Sequence, residues 1–195
     1  MKRTFDLLFA LVALIALLPF GVLIAAWIWS NDGLPIFFRQ ERVGLNGRIF
    51  RVWKFRSMYK GAERQGQLTV SGRDPRITKS GAFLRKYKID ELPQLLNVLV
   101  GDMSLVGPRP EVARYVKLYT QKQCRVLSVR PGITDHASLA FINENDLLAK
   151  AADPERLYIE EILPKKLDLQ LCYVANRSFG GDLKIMWNTV ARIMR

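Results

Sequence analysis

Two adjacent acids, Asp90 and Glu91, stand in the stretch KIDELPQLLN (88–97), behind Arg85, Lys86 and Lys88 and ahead of an apolar run. A carboxylate so placed can cap a helix by accepting a backbone N–H. It can also serve as a nucleophile or a Mg²⁺ ligand, and both tasks need the ionised form. The basic neighbours and the dipole of a helix starting here favour ionisation. Neighbours on a helix point apart, so Glu91 reads as a partner in a second step and not as a sharer of one proton with Asp90. Arg109, in GPRPE, and Arg130, in VRPGIT, sit beside prolines. A guanidinium fork on a rigid turn suits bidentate binding of phosphate oxygens. Singly, either arginine also fits a surface ion pair or a helix end. Together with the acids they suit phosphoryl transfer, where positioning and charge neutralisation supply most of the catalysis.

These residues need a scaffold, and 195 residues are enough for one domain with a core. The formal net charge of +12 favours anionic partners: nucleic acid, acidic lipid or phosphate-bearing substrates. No nucleic-acid-binding motif is present, and anionic lipid explains the charge more simply. Two distant cysteines, Cys124 and Cys172, form no disulfide framework. A single histidine, His136, excludes a His-rich zinc site. The glycines spell neither a P-loop nor a dinucleotide fingerprint.

Residues 7–29, LLFALVALIALLPFGVLIAAWIW, carry no charge and reach roughly 34 Å as a helix, enough to cross a bilayer. Lys2 and Arg3 precede the run; Arg39, Arg42, Arg48, Arg51, Lys54, Arg56 and Lys60 follow it. Basic flanks mark the cytoplasmic side, and a single crossing leaves one flank on the wrong side. Pro19 and Gly21 offer a kink from which a re-entrant helix could return. From the residues alone the spanning and the re-entrant readings both stay open. Downstream, PIFFRQERVGLNGRIFRVWKFRSM (35–58) predicts a β-hairpin turned at Asn46-Gly47, and residues 60–81 predict a polar loop. AFLRKYKI predicts a short helix, and LPQLLNVLVG a helix capped by Asp90 and ended by Gly101. Residues 111–127 predict an amphipathic helix, and 146–174 helix interrupted near Pro154 and Pro164. In the last segment, 182–195, Leu183, Met186, Trp187, Val190 and Met194 recur at helical spacing, as a core helix or one lying at a membrane interface.

Several ordered motifs, KRTFDLLFALVALIALLPFG, FFRQERVGLNGRIFRVWKFRSM, KIDELPQLLNVLVGDMSLVGPRPE and VRPGIT, together resemble the bacterial sugar transferases, the monotopic phosphoglycosyl transferases of glycan assembly. The resemblance implies an α+β fold, mostly α-helical with a small β-hairpin. A re-entrant helix at 1–30, broken near Pro19, would precede a catalytic domain at 31–195 with interfacial amphipathic helices. It implies transfer of a sugar 1-phosphate from a UDP-sugar to a polyprenyl phosphate, with release of UMP, on the cytoplasmic face of the bacterial inner membrane. Asp90 matches the family nucleophile, which forms a phosphosugar–aspartate intermediate, and Glu91 matches the second dyad member, a base or orienting group. Mg²⁺ is implied, with Asp90 as a ligand. Lys54, Arg56, Arg85 and Arg109 match basic motif positions that hold phosphates or the nucleotide, and Arg130 is a further candidate. Two departures stand out: Leu18-Pro19 where relatives often have Ser-Pro, and DHASLAFINEN (135–145) where many continue with Gly and a Trp-Ala-Gln run. The donor sugar and homo-oligomerisation stay open. A non-catalytic, membrane-anchored scaffold is the rival reading, and it leaves the motifs idle.

Overall fold

In the computed structural model, which describes residues 1–62, 66, 68–70 and 74–193, the apolar run forms one long helix, α1 (Lys2–Asp32). Helical backbone continues through Pro19, so the break expected there is corrected to an uninterrupted helix. A single proline removes one ladder hydrogen bond and leaves the others in place. Of the residues of α1, only Asp6, Ala10 and Ile28 are buried, while Leu11, Val12, Ile15, Leu18, Val22 and Leu23 are exposed.

Both ends of α1 are tied to the same body. At the N-terminal end, Lys2 Nζ donates to Asp182 Oδ2 (2.6 Å), Asp6 Oδ2 accepts from Ser104 Oγ (2.7 Å), and Arg3 donates to the carbonyl of Met103 (3.3 Å). At the other end, the Arg56 guanidinium donates to the carbonyls of Asp32 (2.6 Å) and Gly33 (2.7 Å). The Asp32 carboxylate accepts from Thr78 Oγ1 (3.0 Å) and from Ser80. These bonds supply partners that the last turn of a helix lacks.

The hairpin forms as its sequence predicts: β1 (Phe37–Val43) pairs antiparallel with β2 (Ile49–Phe55), in register from Phe37↔Phe55 to Val43↔Ile49. Asn46 (φ 55°) and Gly47 (φ 78°) take the left-handed conformations of the turn. Phe50 and Val52 face the core, and strand alternation puts Lys54 on that same face. Two short helices follow, α2 (Lys79–Lys86) and α3 (Gln94–Val100), the latter closed by Gly101 in the left-handed region as expected. A second, parallel pair, β3 (Ser104–Val106) with β4 (Gly132–Thr134), lies in segments that read only as turns. Its closeness depends on glycine: a Cβ on Gly132 would lie 2.1 Å from the Gly107 nitrogen.

The amphipathic helix expected over 111–127 is corrected to α4 (Ala113–Val116) and a separate 3₁₀ stretch (Gln123–Ser128). The chain then forms α5 (His136–Ala140), α6 (Glu144–Ala149) and α7 (Pro154–Leu157). A π-helical turn (Tyr158–Ile162) leads directly into α8 (Leu163–Asn176), so Pro164 begins a helix and does not interrupt one. In α9 (Phe179–Ile193), Met186 packs on the core whereas Leu183, Trp187 and Val190 are exposed, Trp187 by 73%. Met194, Arg195 and residues 63–65, 67 and 71–73 of the polar loop lie outside the described residues.

Candidate active site

Asp90 does not cap α3. It lies with Glu91 in a 3₁₀ turn (Ile89–Glu91), and Pro93 occupies the N-cap of α3. Lys88 enters the turn in a left-handed conformation (φ 56°), uncommon for a residue with a Cβ. The turn brings both carboxylates, buried, to the wall of a cavity of about 930 Å³, within the usual size range of small-molecule sites.

The two acids live in opposite electrostatic surroundings. Glu91 Oε1 accepts from Lys54 Nζ (2.8 Å), and both Glu91 oxygens accept from the Arg109 fork, one at 3.1 Å. Burial pushes the Glu91 carboxyl up, but Arg109 and Lys54 outweigh it and hold it well below the usual range. Asp90 is 5% exposed, and its Oδ1 is buried without a hydrogen-bond partner among the described residues. Burial, and then the charge of Glu91, push the Asp90 carboxyl above its ordinary value, against the pull of Lys54, Arg85 and Lys88. The readily ionised Asp90 expected from its basic neighbours and a helix dipole is therefore corrected to a buried one whose charge is costly.

Lys54, Arg56, Arg85 and Arg109 all line the cavity with the acids. Burial lowers the Lys54 ammonium, with Glu91 opposing. Arg85 donates to Thr69 Oγ1 (2.9 Å), also on the cavity wall. Arg56 spends its guanidinium on the end of α1. Arg130 is not among the described residues that line the cavity; its Nε donates to the Gly101 carbonyl (2.9 Å) at the end of α3, the helix-end role open to it from the start.

Sequence reasoning missed the residues that aim these groups. Asn97 of α3 accepts from the Trp53 N–H (2.9 Å) and donates to the Arg51 carbonyl (2.8 Å), which fixes β2, and with it Lys54, beside the 3₁₀ turn. Asp135, 1% exposed, accepts from the Arg109 N–H (3.1 Å), from Gln170 Nε2 (2.8 Å) and from the Ser138 N–H (2.6 Å). An Asp at the start of α5 is a legible N-cap; its bond to Arg109 has no sequence signal. Glu111 accepts from Arg42 (2.9 Å) and from the Tyr158 hydroxyl (2.5 Å) in another part of the same cavity.

Among the described residues no cluster of three or more His, Cys, Asp or Glu side chains could hold a metal unaided. The Asp90 carboxylate, with one oxygen unpartnered among the described residues, does fit Mg²⁺, which commonly takes one or two carboxylates and completes its shell with substrate phosphates and water.

The cavity also has an apolar part. Phe9, Ala13 and Leu17 of α1 and Met186, Val190 and Ile193 of α9 line the same space as Asp90.

The bacterial sugar transferase family matches residues 1–195. Similar proteins include an uncharacterized sugar transferase, EpsL, of Bacillus subtilis (strain 168), 41% identical over 194 residues that cover 100% of this chain and 87% of that protein. The UDP-glucose:undecaprenyl-phosphate glucose-1-phosphate transferase of Escherichia coli (strain K12) is 36% identical, over 97% of this chain and 39% of its own length. A UDP-N-acetylgalactosamine-undecaprenyl-phosphate N-acetylgalactosaminephosphotransferase of Aeromonas hydrophila is 36% identical, over 99% of this chain and 43% of its own. With the match running the full length and an acid dyad set among cations on a cavity wall, the chain belongs to the bacterial sugar transferase family and is a transferase.

Proposed function

We propose that the protein transfers a sugar 1-phosphate from a UDP-sugar to a polyprenyl phosphate, as the first membrane step of glycan assembly. The observation that carries the reading is the free, buried Oδ1 of Asp90 on the wall of a cavity that also presents Lys54, Arg85 and Arg109. An oxygen that no group among the described residues occupies is available to attack. In the first step Oδ1 attacks the β-phosphorus of the UDP-sugar, the bond from that phosphorus to the bridging oxygen breaks, and UMP leaves. A phosphosugar–aspartate remains. In the second, a phosphate oxygen of the polyprenyl phosphate attacks the same phosphorus, the aspartyl bond breaks, and polyprenyl-diphosphate-sugar forms. Arg109 and Lys54 neutralise the phosphate charge, and Glu91, held by both, keeps them aimed. Its strongly held carboxylate favours the orienting role over that of a base. Asp90 would hold Mg²⁺ through its other carboxylate oxygen, and the ion would supply charge neutralisation at the leaving group.

The apolar part of the cavity, between α1 and α9, suits the chain of the lipid acceptor. The two ties of α1 to one body support a monotopic placement with both ends of the helix on one face of the membrane: a straight crossing would need that body on both sides of the bilayer. The basic residues on both flanks of the apolar run support a catalytic domain on the cytoplasmic face of the inner membrane. The test is incubation of the full chain with UDP-sugars, Mg²⁺ and polyprenyl phosphate. Wild-type protein releases UMP and, without acceptor, gains a phosphosugar adduct on Asp90 by peptide mass spectrometry. Asp90→Asn lowers turnover at least about 10³-fold, the scale of losing a covalent nucleophile. Full turnover by Asp90→Asn, or an adduct elsewhere, overturns the assignment.

A further inference from the structure

One cation on the cavity wall, Arg76, has no task so far. It follows Asp74-Pro75, and Asp at the first position with proline at the second favours a tight turn. The turn forms: the Ile77 N–H donates to the Asp74 carbonyl (3.0 Å), and the Arg76 N–H to Asp74 Oδ1 (3.0 Å). It lies where the two ends of the polar loop meet. Met58 and Ile77 form an antiparallel bridge there, and the Tyr59 N–H donates to the Arg76 carbonyl (2.9 Å).

The Arg76 side chain is 11% exposed, and each of its five N–H groups is engaged. Nε donates to Asp74 Oδ1 (2.9 Å), and Nη2 to Asp74 Oδ2 (2.6 Å) and the Leu68 carbonyl (2.5 Å). Nη1 donates to the carbonyls of Gly66 (2.8 Å) and Ala62 (3.4 Å). Gly66 and Leu68 lie outside any helix or strand, so no ladder serves their carbonyls. Only a planar fork reaches a carboxylate and three carbonyls at once; an ammonium lacks both the donors and the spread. With its charge matched by Asp74 and no N–H to spare, Arg76 is not itself a phosphate ligand.

What the guanidinium pins is part of the cavity wall, since Gly66, Leu68 and Thr69 line the cavity with it. Thr69 follows the pinned Leu68, and its Oγ1 accepts from Arg85 (2.9 Å). Among the described residues Thr69 is the one hydrogen-bond partner of the Arg85 side chain, and the Arg85 charge acts on Asp90. A continuous set of contacts thus runs from Arg76 through Leu68 and Thr69 to Arg85. A fixed acceptor removes rotamers of Arg85 before any ligand arrives, and so lowers the entropy cost of binding.

We propose that Arg76 is a positioning residue, which fixes the loop so that Thr69 holds Arg85 aimed at the phosphates of the donor. The proposal rests on the transferase reading above. The experiment measures KM and kcat for UMP release by the full chain with Mg²⁺, polyprenyl phosphate and the best donor from a panel of UDP-sugars. Arg76→Lys keeps the charge and loses the fork; it raises donor KM about tenfold, the scale of one hydrogen bond to a charged group, with kcat changed less than about twofold. Thr69→Val raises KM by a similar factor. In an Arg85→Ala background neither substitution adds a further rise, because a residue that acts through another is silent once the other is gone. KM does not depend on the folded fraction, so a destabilised variant still reports. Where Arg76→Lys leaves too little turnover, Asp74→Asn loosens the same guanidinium and gives the same comparison. A wild-type KM in Arg76→Lys or Thr69→Val, or rises that multiply with that of Arg85→Ala, overturns the positioning role alone. Wild-type protein that releases UMP from no donor overturns the transferase reading, and the positioning role with it.

Discussion

Asp90 and Glu91 are neighbours in the chain whose charges have opposite effects on the fold. The Glu91 carboxyl is held well below its ordinary 4.5 by Arg109 and Lys54 despite burial. Its interactions therefore contribute stability above that pH, and the contribution is lost as pH falls through the lower folded-state value. Glu91→Gln leaves two half-buried cations without their anion and should cost about 2 kcal/mol at neutral pH by denaturant unfolding. Asp90 runs the other way. Burial and the Glu91 charge raise its carboxyl, so its ionised form is costly to the fold above that raised value. Asp90→Asn should raise the melting temperature at neutral pH while abolishing activity, the exchange expected of a strained functional residue. On the proposed mechanism the same shift sets the pH dependence: if Asp90 attacks, it must do so as the carboxylate, so the acid limb of kcat/KM should lie above the ordinary Asp value of 3.8. The identity of both residues was legible as a motif, but their surroundings were not. Nothing local in KIDELP says that Lys88 turns left-handed, or that Pro93 takes the N-cap and leaves Asp90 in the cavity wall.

Short-range patterns made several elements legible. Strand alternation and Asn46-Gly47 specified the hairpin, and Gly101 the end of α3. The β3–β4 pair was hidden because each strand is three residues long and the two are far apart in sequence, held by a close approach at Gly107 and Gly132 that only their contact reveals. Arg56 shows the limit of motif transfer: it lines the cavity, yet its guanidinium closes the end of α1. Arg56→Ala should free two carbonyls and about 1–3 kcal/mol of local stability. Hydrogen exchange should then quicken around residues 29–35, while a role confined to phosphate binding would raise KM and leave exchange unchanged.

For the whole molecule, the main constraint is that α1 begins and ends on the same body. With Cys124 and Cys172 replaced by Ser, Thr4→Cys and Lys60→Cys should both react with a membrane-impermeant maleimide in inside-out vesicles, and neither in right-side-out cells. Labelling on opposite faces would refute the monotopic placement. The ties at the start of α1 also have a consequence in time. Ser104 and Asp182 lie 98 and 180 residues beyond their partners Asp6 and Lys2. At about 5–20 residues per second, the ribosome completes Asp182 about 9–36 s after Lys2. Asp6, 3% exposed in the finished protein, must spend the earlier part of that interval without its serine. The contacts that hold the start of α1 thus close last in synthesis, with the C-terminal helix as the latch.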